Sequence, residues 1–343
     1  MLRSIFVFLF ILSINICVAA ELQGQQPNVS IDSRGTVRMV YGLGEKILCM
    51  TSKNNGLSFS KPVEVGQVSN MHLGHTRGPQ IASSKNYSMI TAIDEAGTIY
   101  SYKLNHGKNT WVKSAKVNDQ AGSAVEGLMS ITADREDNFY ATWLDVRLEK
   151  KNNIFFSSMN ARANSWSKNV LVYKSPDGHT CECCKPNIAF NNGKLVVGFR
   201  NWLMGSRDIY YSASTDKGKT FESARKSGQG TWQLNACPMD GGGLAVNEKG
   251  IVTTSWRRNS DVFYATANQQ EQRVAVGKDV SMAQKNGKTI IAWQQNNKIQ
   301  VMTLQDRRPI TVGLGISPKL CLLANGKLLC VWEEEKQVKY KVI

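Results

Sequence analysis

The chain has 343 residues, of which 42 are lysine or arginine and 27 are aspartate or glutamate, so its formal net charge is +15. The basic residues are scattered among short apolar runs, with no basic helix, no RNA-binding aromatic signature and no long run of lysine and arginine. This distribution argues against nucleic acid as a partner. In an exported protein such a charge favours contact with acidic glycans or an anionic cell surface, and plain solubility is the alternative explanation.

The first segment, MLRSIFVFLFILSINICVAA, predicts a secretory signal peptide over residues 1–20. One basic residue precedes an apolar run that ends in small residues, and cleavage is expected after Ala20. The apolar run is short for a membrane span, and no later segment is long and apolar enough for one. We therefore expect a secreted or periplasmic protein without a transmembrane segment, in which disulfide bonds are permitted.

Residues 21–343 repeat a pattern of short strands and tight turns, and no segment has a convincing helical period. Each copy contains a strand, a turn rich in Asn, Asp or Gly, and a second strand, as in NVSIDSRGTVRMVYGL and PNIAFNNGKLVVGFRN. A third strand usually follows, as in KILCMTS and DIYYSAS. The spacing of the copies is typical of propeller blades, which predicts one all-β domain, a β-propeller of four-stranded antiparallel blades.

We count seven copies, so seven blades are favoured; six are the alternative, because repeats at the ends of a chain are hard to count. The last copy has three strands and ends at Ile343. A fourth strand from residues 21–27 would close the ring and place the two ends of the domain side by side. We expect the propeller to be a monomer.

Two segments share a turn motif between the third and fourth strands of their copies. STDKGKTF, residues 214–221, matches the Asp-box pattern Ser-x-Asp-x-Gly-x-Thr-aromatic at every position, and SKNNGLSF, residues 52–59, is a softened copy. The aspartate accepts turn N–H groups, the glycine permits a backbone that most residues avoid, and the aromatic ring anchors the turn. The structural residues predicted by the full motif are Ser214, Asp216, Gly218, Thr220 and Phe221.

With these turns in register on the repeated strands, the chain resembles the sialidase-like, Asp-box (BNR repeat) β-propeller superfamily. Sialidases of that superfamily have an arginine triad, an aspartate acid/base and a Tyr–Glu nucleophile pair. The resemblance implies Asp145, in WLDVR, as an acid, and no segment identifies the Tyr–Glu pair. The arginines implied or suggested as substrate-binding residues are Arg77 in TRGP, Arg147 in WLDVR, Arg200, Arg257 and Arg258.

Antiparallel strand order sorts the loops of a propeller between two faces. The Asp boxes share one face with the turns between first and second strands. Loops that enter a blade share the other face, here called the mouth face, with the loops between second and third strands. Its entering loops are MHLGHTRG (71–78), SAVEG (123–127), DGHTCECCK (177–185) and NACPMDGGG (235–243). Three of the four histidines, four cysteines and several arginines therefore converge on the mouth face.

The mouth face also carries the candidate acids. Glycosidic bond cleavage needs two carboxylates at a set separation, and Asp145, Glu126 and Asp240 are the candidates. The arginines, taken together, suit bidentate binding of a carboxylate or sulfate. Taken singly, each arginine is explained equally well by solvation of a blade rim, and each histidine by hydrogen bonding within its loop.

Four cysteines of the mouth face, Cys181, Cys183, Cys184 and Cys237, admit three interpretations. Two disulfides, one of them joining Cys237 to the other three, would fix long loops that lack a core of their own. A thiolate metal site that includes His179 would suit copper(I) or zinc(II), which prefer soft ligands. A catalytic or redox cysteine is the third interpretation. Because both loops enter neighbouring blades on one face, we expect Cys237 within bonding reach of at least one of the others.

CLLANGKLLC predicts a hairpin with Asn325-Gly326 as a two-residue turn. In that register Cys321 faces Cys330 at a non-hydrogen-bonded position, where α-carbons approach closely. A disulfide between them is then allowed, and a pair of inert buried thiols is the alternative.

Two functions from different classes follow. The first is an exported sialidase-like propeller that binds an anionic glycan or cell-surface ligand at an axial mouth lined by Arg, His and Cys, with exo-glycosidase hydrolysis left open. The alternative is a non-enzymatic exported propeller with a Cys/His metal site for copper or zinc, or with a partner-binding mouth.

Overall fold

The computed structural model describes residues 22–343, so the predicted signal peptide lies outside the described residues. Over this range all regular secondary structure is β-strand, arranged in seven antiparallel sheets. Within the same range no helix is long and apolar enough to cross a bilayer.

The first four sheets each have four strands in chain order from the axis outwards. Their strands are β1 (Gln25–Ile31), β2 (Val37–Leu43), β3 (Lys46–Ser52), β4 (Val63–Gln67); β5 (Gln80–Ser83), β6 (Tyr87–Ile93), β7 (Ile99–Asn105), β8 (Thr110–Lys113); β9 (Met129–Ala133), β10 (Asn138–Leu148), β11 (Lys151–Asn160), β12 (Val170–Tyr173); β13 (Asn187–Asn191), β14 (Lys194–Arg200), β15 (Ile209–Ser214) and β16 (Arg225–Lys226).

The last three sheets follow the same order, and the seventh has three strands. Their strands are β17 (Gly243–Val246), β18 (Val252–Arg258), β19 (Asp261–Thr266), β20 (Gln272–Val276); β21 (Lys278–Lys285), β22 (Lys288–Gln295), β23 (Lys298–Thr303), β24 (Ile310–Leu314); β25 (Ile316–Leu322), β26 (Leu328–Glu334) and β27 (Gln337–Val342).

The sheets are the blades of a closed ring. The first strand of each blade contacts the first strand of the next, and β25 of the seventh blade contacts β1 of the first. These innermost strands therefore surround a common axis. The prediction of an all-β, seven-bladed β-propeller is confirmed, and the six-bladed alternative is wrong.

The ring closes through residues 22–24. The Leu22 carbonyl accepts a hydrogen bond from the Val338 N–H at 2.7 Å, and the Gly24 N–H donates to the Lys336 carbonyl at 2.8 Å. This short extended segment supplies a partner for β27 at the outer edge of the seventh blade. The predicted closing strand, residues 21–27, was too long, because residues from Gln25 onward form the innermost strand of the first blade.

The core lies between adjacent blades. Strands in the middle of a blade carry apolar residues on both faces, because each face packs against a neighbouring blade. In β10, Phe139 and Trp143 are fully buried and pack in one cluster with Met89 of the second blade and Trp166 of the third. Truncating a side chain as large as Trp143 removes about 3–5 kcal/mol of stability in typical cores.

The turn at residues 214–221 has the geometry that its motif predicts. The Ser214 hydroxyl donates to the Asp216 carboxylate at 2.7 Å and accepts from the Gly218 N–H at 2.9 Å. The Asp216 carboxylate also accepts from the Thr220 N–H at 3.0 Å and hydroxyl at 2.6 Å. Gly218 has φ +87°, a conformation that favours glycine. These hydrogen bonds lower the pKa of Asp216, chiefly those from Thr220.

The aromatic residue of each turn anchors it to the preceding blade in the ring. Phe221 packs edge-on against Phe156 of the third blade, with ring centroids 5.2 Å apart. In the softened copy, Phe59 packs edge-on against Tyr340 of the seventh blade at 4.9 Å. Both turns thus join blades, which is a structural role.

The two faces are separated as expected. Lys217, in the turn between β15 and β16, forms an ion pair with Glu136, in the turn between β9 and β10. On the other face, the Cys181 N–H in an entering loop donates to the carbonyl of Arg200, at the end of β14, at 3.1 Å. The prediction that the Asp216 turn and the CECC loop lie on opposite faces is therefore confirmed.

The predicted disulfide between Cys321 and Cys330 is wrong. Cys321 is opposite Leu329 in the β25–β26 register, so Cys330 lies on the other face of the sheet. Both cysteines are free and buried, in different core clusters. The hairpin turns through three residues, 324–326, and only Gly326 has positive φ, whereas a two-residue type I′ turn needs positive φ at both positions. The longer loop shifts the register by one residue, which exchanges the faces.

Candidate functional site

Cys183 and Cys237 are joined by a disulfide whose Cα atoms are 6.1 Å apart. It links the loops that enter the fourth and fifth blades, 54 residues apart in the chain. The expectation that Cys237 lies within bonding reach of the CECC segment is confirmed. Closing a loop of this length restricts the unfolded chain and is worth about 3–4 kcal/mol in the entropic model.

Cys181 and Cys184 lie beside this disulfide as free thiols. The Sγ atoms of Cys181, Cys183 and Cys184, here called the sulfur cluster, are separated by 3.2 Å (Cys181–Cys184), 3.7 Å (Cys181–Cys183) and 3.9 Å (Cys183–Cys184). All three residues are buried. The cluster therefore lies beneath the surface of the mouth face.

Two arginines place positive charge against the sulfur cluster. The Arg207 Nη1 atom donates to the Cys181 sulfur at 3.0 Å. Burial raises the pKa of the Cys181 thiol, but the hydrogen bond with Cys184 and the charges of Arg200 and Arg207 outweigh burial and lower it to about 7. Burial, with the neighbouring Cys181, raises the pKa of Cys184 well above its ordinary value.

Arg200 is fully buried, and its guanidinium donates to three backbone carbonyls. The acceptors are Asp240 at 2.9 Å, Arg207 at 2.6 Å and Arg257 at 3.1 Å. Its Cζ atom lies 5.3 Å from the ring centroid of Trp232. Arg200 therefore ties together two loops of the mouth face and the end of β18, and its burial keeps it away from a ligand at the surface.

Asp145 and Arg147 form a closed pair. The Asp145 side chain is fully buried and accepts hydrogen bonds from Trp143 Nε1 at 2.7 Å and from the Arg147 guanidinium at 2.8 and 2.9 Å. Arg147 also donates to Asp119 and Asn169, each at 2.7 Å. We assign both residues a structural role, because Asp145 exposes no oxygen and the guanidinium is committed to internal partners.

Arg77 and Glu126 are in contact at the mouth face. The Arg77 Nε atom donates to the Glu126 carbonyl at 2.6 Å, and its Nη2 atom is 3.7 Å from the Glu126 carboxylate. Both side chains remain partly exposed. Nearby, the His72 ring is hydrogen-bonded to the Val125 carbonyl, and burial lowers the pKa of His72. Arg77 and Glu126 therefore keep surface that a ligand can reach.

The last two predicted arginines lie further round the ring, in the fifth blade. Arg258 pairs with Glu271 and stacks on Phe263, at 4.1 Å from the ring centroid. Arg257 donates to the Asn259 carbonyl at 2.6 Å and is half-buried, with its guanidinium 5.6 Å from the Trp232 ring. The five predicted arginines thus have separate hydrogen-bond acceptors, although Arg200 and Arg257 both lie over the Trp232 ring.

His179 lies beside the sulfur cluster but does not face it. Its Nδ1 atom is 3.0 Å from the Thr180 carbonyl, and its ring stacks on Trp202 with centroids 5.8 Å apart. Among residues 22–343, the sulfur cluster is the only group of three or more His, Cys, Asp and Glu side chains close enough to share an ion. The predicted ligand set therefore separates into three close sulfurs, a disulfide partner, Cys237, and an outlying imidazole.

The axis contains two concavities. A polar cavity of about 350 Å³, here called the axial cavity, is lined by the innermost strands and includes Asn28, Gln80, Ser130, Lys185, Asn187 and Lys319. A wider funnel of about 1120 Å³ opens among the turns of the face that carries the Asp216 turn. At the mouth face the axis contains only a small third cavity of about 20 Å³, which is lined by Asp240, Asp279, Lys185 and Lys319.

Two lysines that sequence reasoning missed line the axial cavity. Lys185 is buried, and its Nζ atom donates to neutral oxygens, Ser130 Oγ at 2.6 Å and Asn187 Oδ1 at 3.4 Å. Burial, and then the charge of Lys319, lower the pKa of Lys185 well below its ordinary value. Burial also lowers the pKa of Lys319, against the opposing effect of Asp279 and Asp240.

Two buried carboxylates border the lysines. Asp240 accepts from the Gly242 N–H at 3.0 Å and from the Asp279 N–H at 2.9 Å. Burial raises the pKa of Asp240, and the Asp279 charge adds to this while Arg200 opposes it. Asp279 is 2.9 Å from His75 Nε2 through one oxygen, and its other oxygen has no hydrogen-bond partner within the described residues.

A repeated sequence signal marks the lining of the axial cavity. Proline followed by a polar residue opens four innermost strands, at Pro27-Asn28, Pro79-Gln80, Pro186-Asn187 and Pro318-Lys319. Asn28 and Gln80 of adjacent blades are hydrogen-bonded at 2.7 Å. Aligning the copies at these prolines marks Asn28, Gln80, Asn187 and Lys319 as equivalent positions, whereas Ser130 and Lys185 lie outside this alignment.

Comparison with known proteins supports the propeller fold. No family model matches the chain, and no curated protein matches it. The structure resembles the PL25 ulvan lyase bound to -[GlcA(1-4)Rha3S]- with TM-score 0.57 and 8% identity, over 94% of each chain. It resembles the β-propeller domain of the Trilobed protease from Pyrococcus furiosus with TM-score 0.53 and 8% identity, over 94% of this chain and 95% of that one.

A Hadza microbial sialidase, Hz136, is also similar, with TM-score 0.51 and 11% identity. The match covers 83% of this chain and 66% of the sialidase. At such low identities these similarities establish the propeller fold and leave function to the site itself.

Proposed function

We propose that this chain is an exported β-propeller of the sialidase-like, Asp-box type that binds an acidic glycan. A carboxylate or sulfate group of the glycan occupies the axial cavity between Lys185 and Lys319, and the sugar approaches through the funnel. The observation that carries this proposal is a pair of lysines lining a polar cavity, one of them buried against neutral oxygens.

The charges around the axis favour an anion. Taking an ammonium group out of water costs several kcal/mol unless a charge of opposite sign is near. Three cations, Arg200, Lys185 and Lys319, face two carboxylates, Asp240 and Asp279, and burial favours the neutral form of Asp240. An anionic substituent supplies the missing negative charge. A volume of about 350 Å³ is at the small end of ligand pockets, which suits a charged group rather than a whole chain of sugars.

Export is supported by the N-terminal apolar segment and by the disulfide between Cys183 and Cys237, since disulfides persist in oxidising compartments. The hydrogen bonds of the turn at residues 214–221 support the Asp-box assignment. The PL25 ulvan lyase bound to -[GlcA(1-4)Rha3S]- shows that a propeller of this shape accommodates a uronate and a sulfated sugar.

Binding is favoured over hydrolysis. Hydrolysis of a glycosidic bond needs two carboxylates that flank it. Of the predicted acids, Asp145 and Asp240 are buried in internal hydrogen bonds, and Glu126 alone keeps exposed surface. Arg77 and Glu126, at the mouth face, form a second place where a glycan can make contact.

Calorimetric titration with uronate-containing and sulfated oligosaccharides tests the proposal. Lys185→Met and Lys319→Met are each expected to weaken binding at least tenfold, because each removes an amino group that pairs with the anion in its protonated form. Neutral oligosaccharides should bind far more weakly, and binding should fall as salt is raised. The matched control is Lys168→Met, which removes an exposed lysine away from the axis.

Unfolding curves separate lost binding from lost structure, because replacing a buried lysine with methionine is expected to leave stability unchanged or higher. Unchanged affinity in both lysine variants would refute the axial site. If Arg77→Ala then abolishes binding, the glycan site is at the mouth face instead.

A further inference from the structure

The sulfur cluster has the dimensions of a metal site. Its three Sγ atoms form a triangle with edges of 3.2, 3.7 and 3.9 Å. The point equidistant from all three is about 2.1 Å from each, close to the length of a metal–thiolate bond, about 2.3 Å. A soft ion at that point would bond all three sulfurs with small movements of the side chains.

The surroundings of the cluster suit bound thiolates. Arg207 donates to the Cys181 sulfur at 3.0 Å, and Cys181 and Cys184 are 3.2 Å apart through their sulfurs. Arg200 is buried close to both sulfurs, without a salt bridge among residues 22–343. Donors to thiolate sulfur and nearby positive charge orient the ligands and offset the negative charge of a metal–thiolate centre. A second, neutral disulfide would leave Arg200 without an anionic partner, whereas Arg207 would keep its ion pair with Glu182 at 3.5 Å.

One sulfur of the triangle is committed to another bond, since Cys183 is joined to Cys237. Two electrons and two protons from a dithiol reductant convert this disulfide to two thiols, and the reductant becomes a disulfide. The third ligand is then available. Without it, the sulfurs of Cys181 and Cys184 are 3.2 Å apart, too close to lie on opposite sides of a two-coordinate ion.

From this geometry we propose that Cys181, Cys183 and Cys184 form a trigonal copper(I) site that opens when the Cys183–Cys237 disulfide is reduced. Copper(I) prefers thiolate sulfur and does not need the four ligands that structural zinc requires. Binding displaces the remaining thiol protons to solvent, and copper(I) keeps its oxidation state. The site is independent of the proposed glycan site, because it uses none of the lysines of the axial cavity.

The test compares two variants that remove the same disulfide. Cys237→Ser leaves Cys183 as a free thiol and keeps the triangle complete, whereas Cys183→Ser removes one corner. Each protein, purified without oxygen, is titrated with copper(I) against the chromophoric chelator bicinchoninate. Cys237→Ser is expected to bind one copper(I) tightly without any reductant, and Cys183→Ser to bind at least a hundredfold more weakly.

The wild-type protein should bind copper(I) tightly only after its disulfide is reduced, and Cys181→Ser and Cys184→Ser should lose this binding. Cys49→Ser, which alters a buried core thiol, is the control expected to behave as wild type. X-ray absorption of the loaded protein should show three sulfur neighbours. Circular dichroism of each variant checks that the propeller is folded before titration.

Equal binding by Cys237→Ser and Cys183→Ser would overturn the proposal, as would reduced wild-type protein that fails to bind copper(I). Tight zinc binding by reduced wild-type protein, lost in Cys237→Ser, would also overturn it. That result would assign a tetrahedral zinc site with Cys237 as the fourth ligand.

Discussion

Arg147 and Arg200 occupy comparable positions, at or near the ends of β10 and β14 on the mouth face, but their charges are balanced differently. Arg147 is matched by two carboxylates, Asp145 at 2.8 Å and Asp119 at 2.7 Å. Arg200 donates only to backbone carbonyls and lies beside Cys181 and Cys184. The charge of Arg147 is balanced within β10, and its ion pair with Asp119 ties this strand to the segment that links the second and third blades. Arg200 has no salt bridge among the described residues, and the sulfurs of Cys181 and Cys184 lie close to it.

Breaking the matched pair should have the largest effect on stability. Asp145→Asn leaves the Arg147 guanidinium partly buried without its main counter-charge, which costs about 3–5 kcal/mol where a buried pair loses one partner. Urea unfolding followed by circular dichroism measures the loss. Asp119→Asn is the control, because Asp119 is more exposed and its loss should cost about 1 kcal/mol or less. Equal small losses in both variants would show that the Asp145 pair contributes little.

Removing a basic group from the region around Arg200 and the axial lysines should leave the stability unchanged or raise it. Lys185→Met is expected to match or exceed the wild-type stability at pH 7, because it removes a buried charge that only neutral oxygens solvate. Arg200 is not suited to this comparison, since its removal would also leave three carbonyls without donors.

The same lysine predicts a pH dependence. The pKa of Lys185 in the folded protein is below its ordinary value of 10.5, so between these two values the unfolded chain binds more protons than the folded one. Stability therefore rises with pH through this window, by at most about 1.4 kcal/mol per pH unit for one group. The stability difference between Lys185→Met and wild type should shrink as the pH is raised from 7 toward 10.5. A difference that stays constant in urea unfolding across this range would contradict the lowered pKa of Lys185 in the folded protein.

Much of the fold was predictable, because the signals that specify it are local. Alternation over a few residues and turns rich in Gly, Asn and Asp define strands, and seven repetitions define blades. The separation of the Asp216 turn from the CECC segment follows from antiparallel order alone. The nearness of Cys237 to Cys183 follows from the same order, because the loops that enter adjacent blades converge.

The site was less predictable, since it depends on contacts between loops distant in sequence. WLDVR shows Asp145 and Arg147 in one strand, but only the structure shows that the two side chains satisfy each other. Lys185, just before β13, and Lys319, in β25, are 134 positions apart in the chain, and nothing local indicates that they share a cavity. The predicted register of the Cys321–Cys330 hairpin was wrong for a different reason. Asn-Gly is compatible with loops of two or three residues, and a difference of one residue decides which face of the sheet each cysteine occupies.

Asp216 extends the comparison of balanced and unbalanced charges. Its carboxylate is stabilised by hydrogen-bond donors of the turn and not by a cation. Asp216→Ala should lower the melting temperature, and by more than Asn54→Ala, because Asn54 accepts from Ser52 and Ser58 in a softened version of the turn. The pKa of Asp216 is lowered in the folded protein by Thr220 and Ser214, so its contribution is present above the ordinary value of 3.8 and is lost as the pH falls below it. Melting curves recorded at neutral pH and below the ordinary value check both statements; equal shifts for the two variants at neutral pH would contradict the ranking.

The smallest change in stability is expected for the buried thiols of Cys321 and Cys330, which carry no charge and form no disulfide. Burial raises the pKa of Cys321 and of Cys330 to about 12, so both thiols stay neutral inside the sheet at ordinary pH. Because they lie on opposite faces of the hairpin, Cys321→Ala and Cys330→Ala should each cost about 1 kcal/mol through lost packing, and the two costs should add. Adding a reductant should not change either cost, since no disulfide joins these residues. Thermal unfolding of the single and double variants, with and without dithiothreitol, measures this. Reduction of the Cys183–Cys237 disulfide lowers the stability of every variant equally, so a loss on reduction that is larger in wild type than in Cys321→Ala would restore the disulfide between Cys321 and Cys330 and remove the register described above.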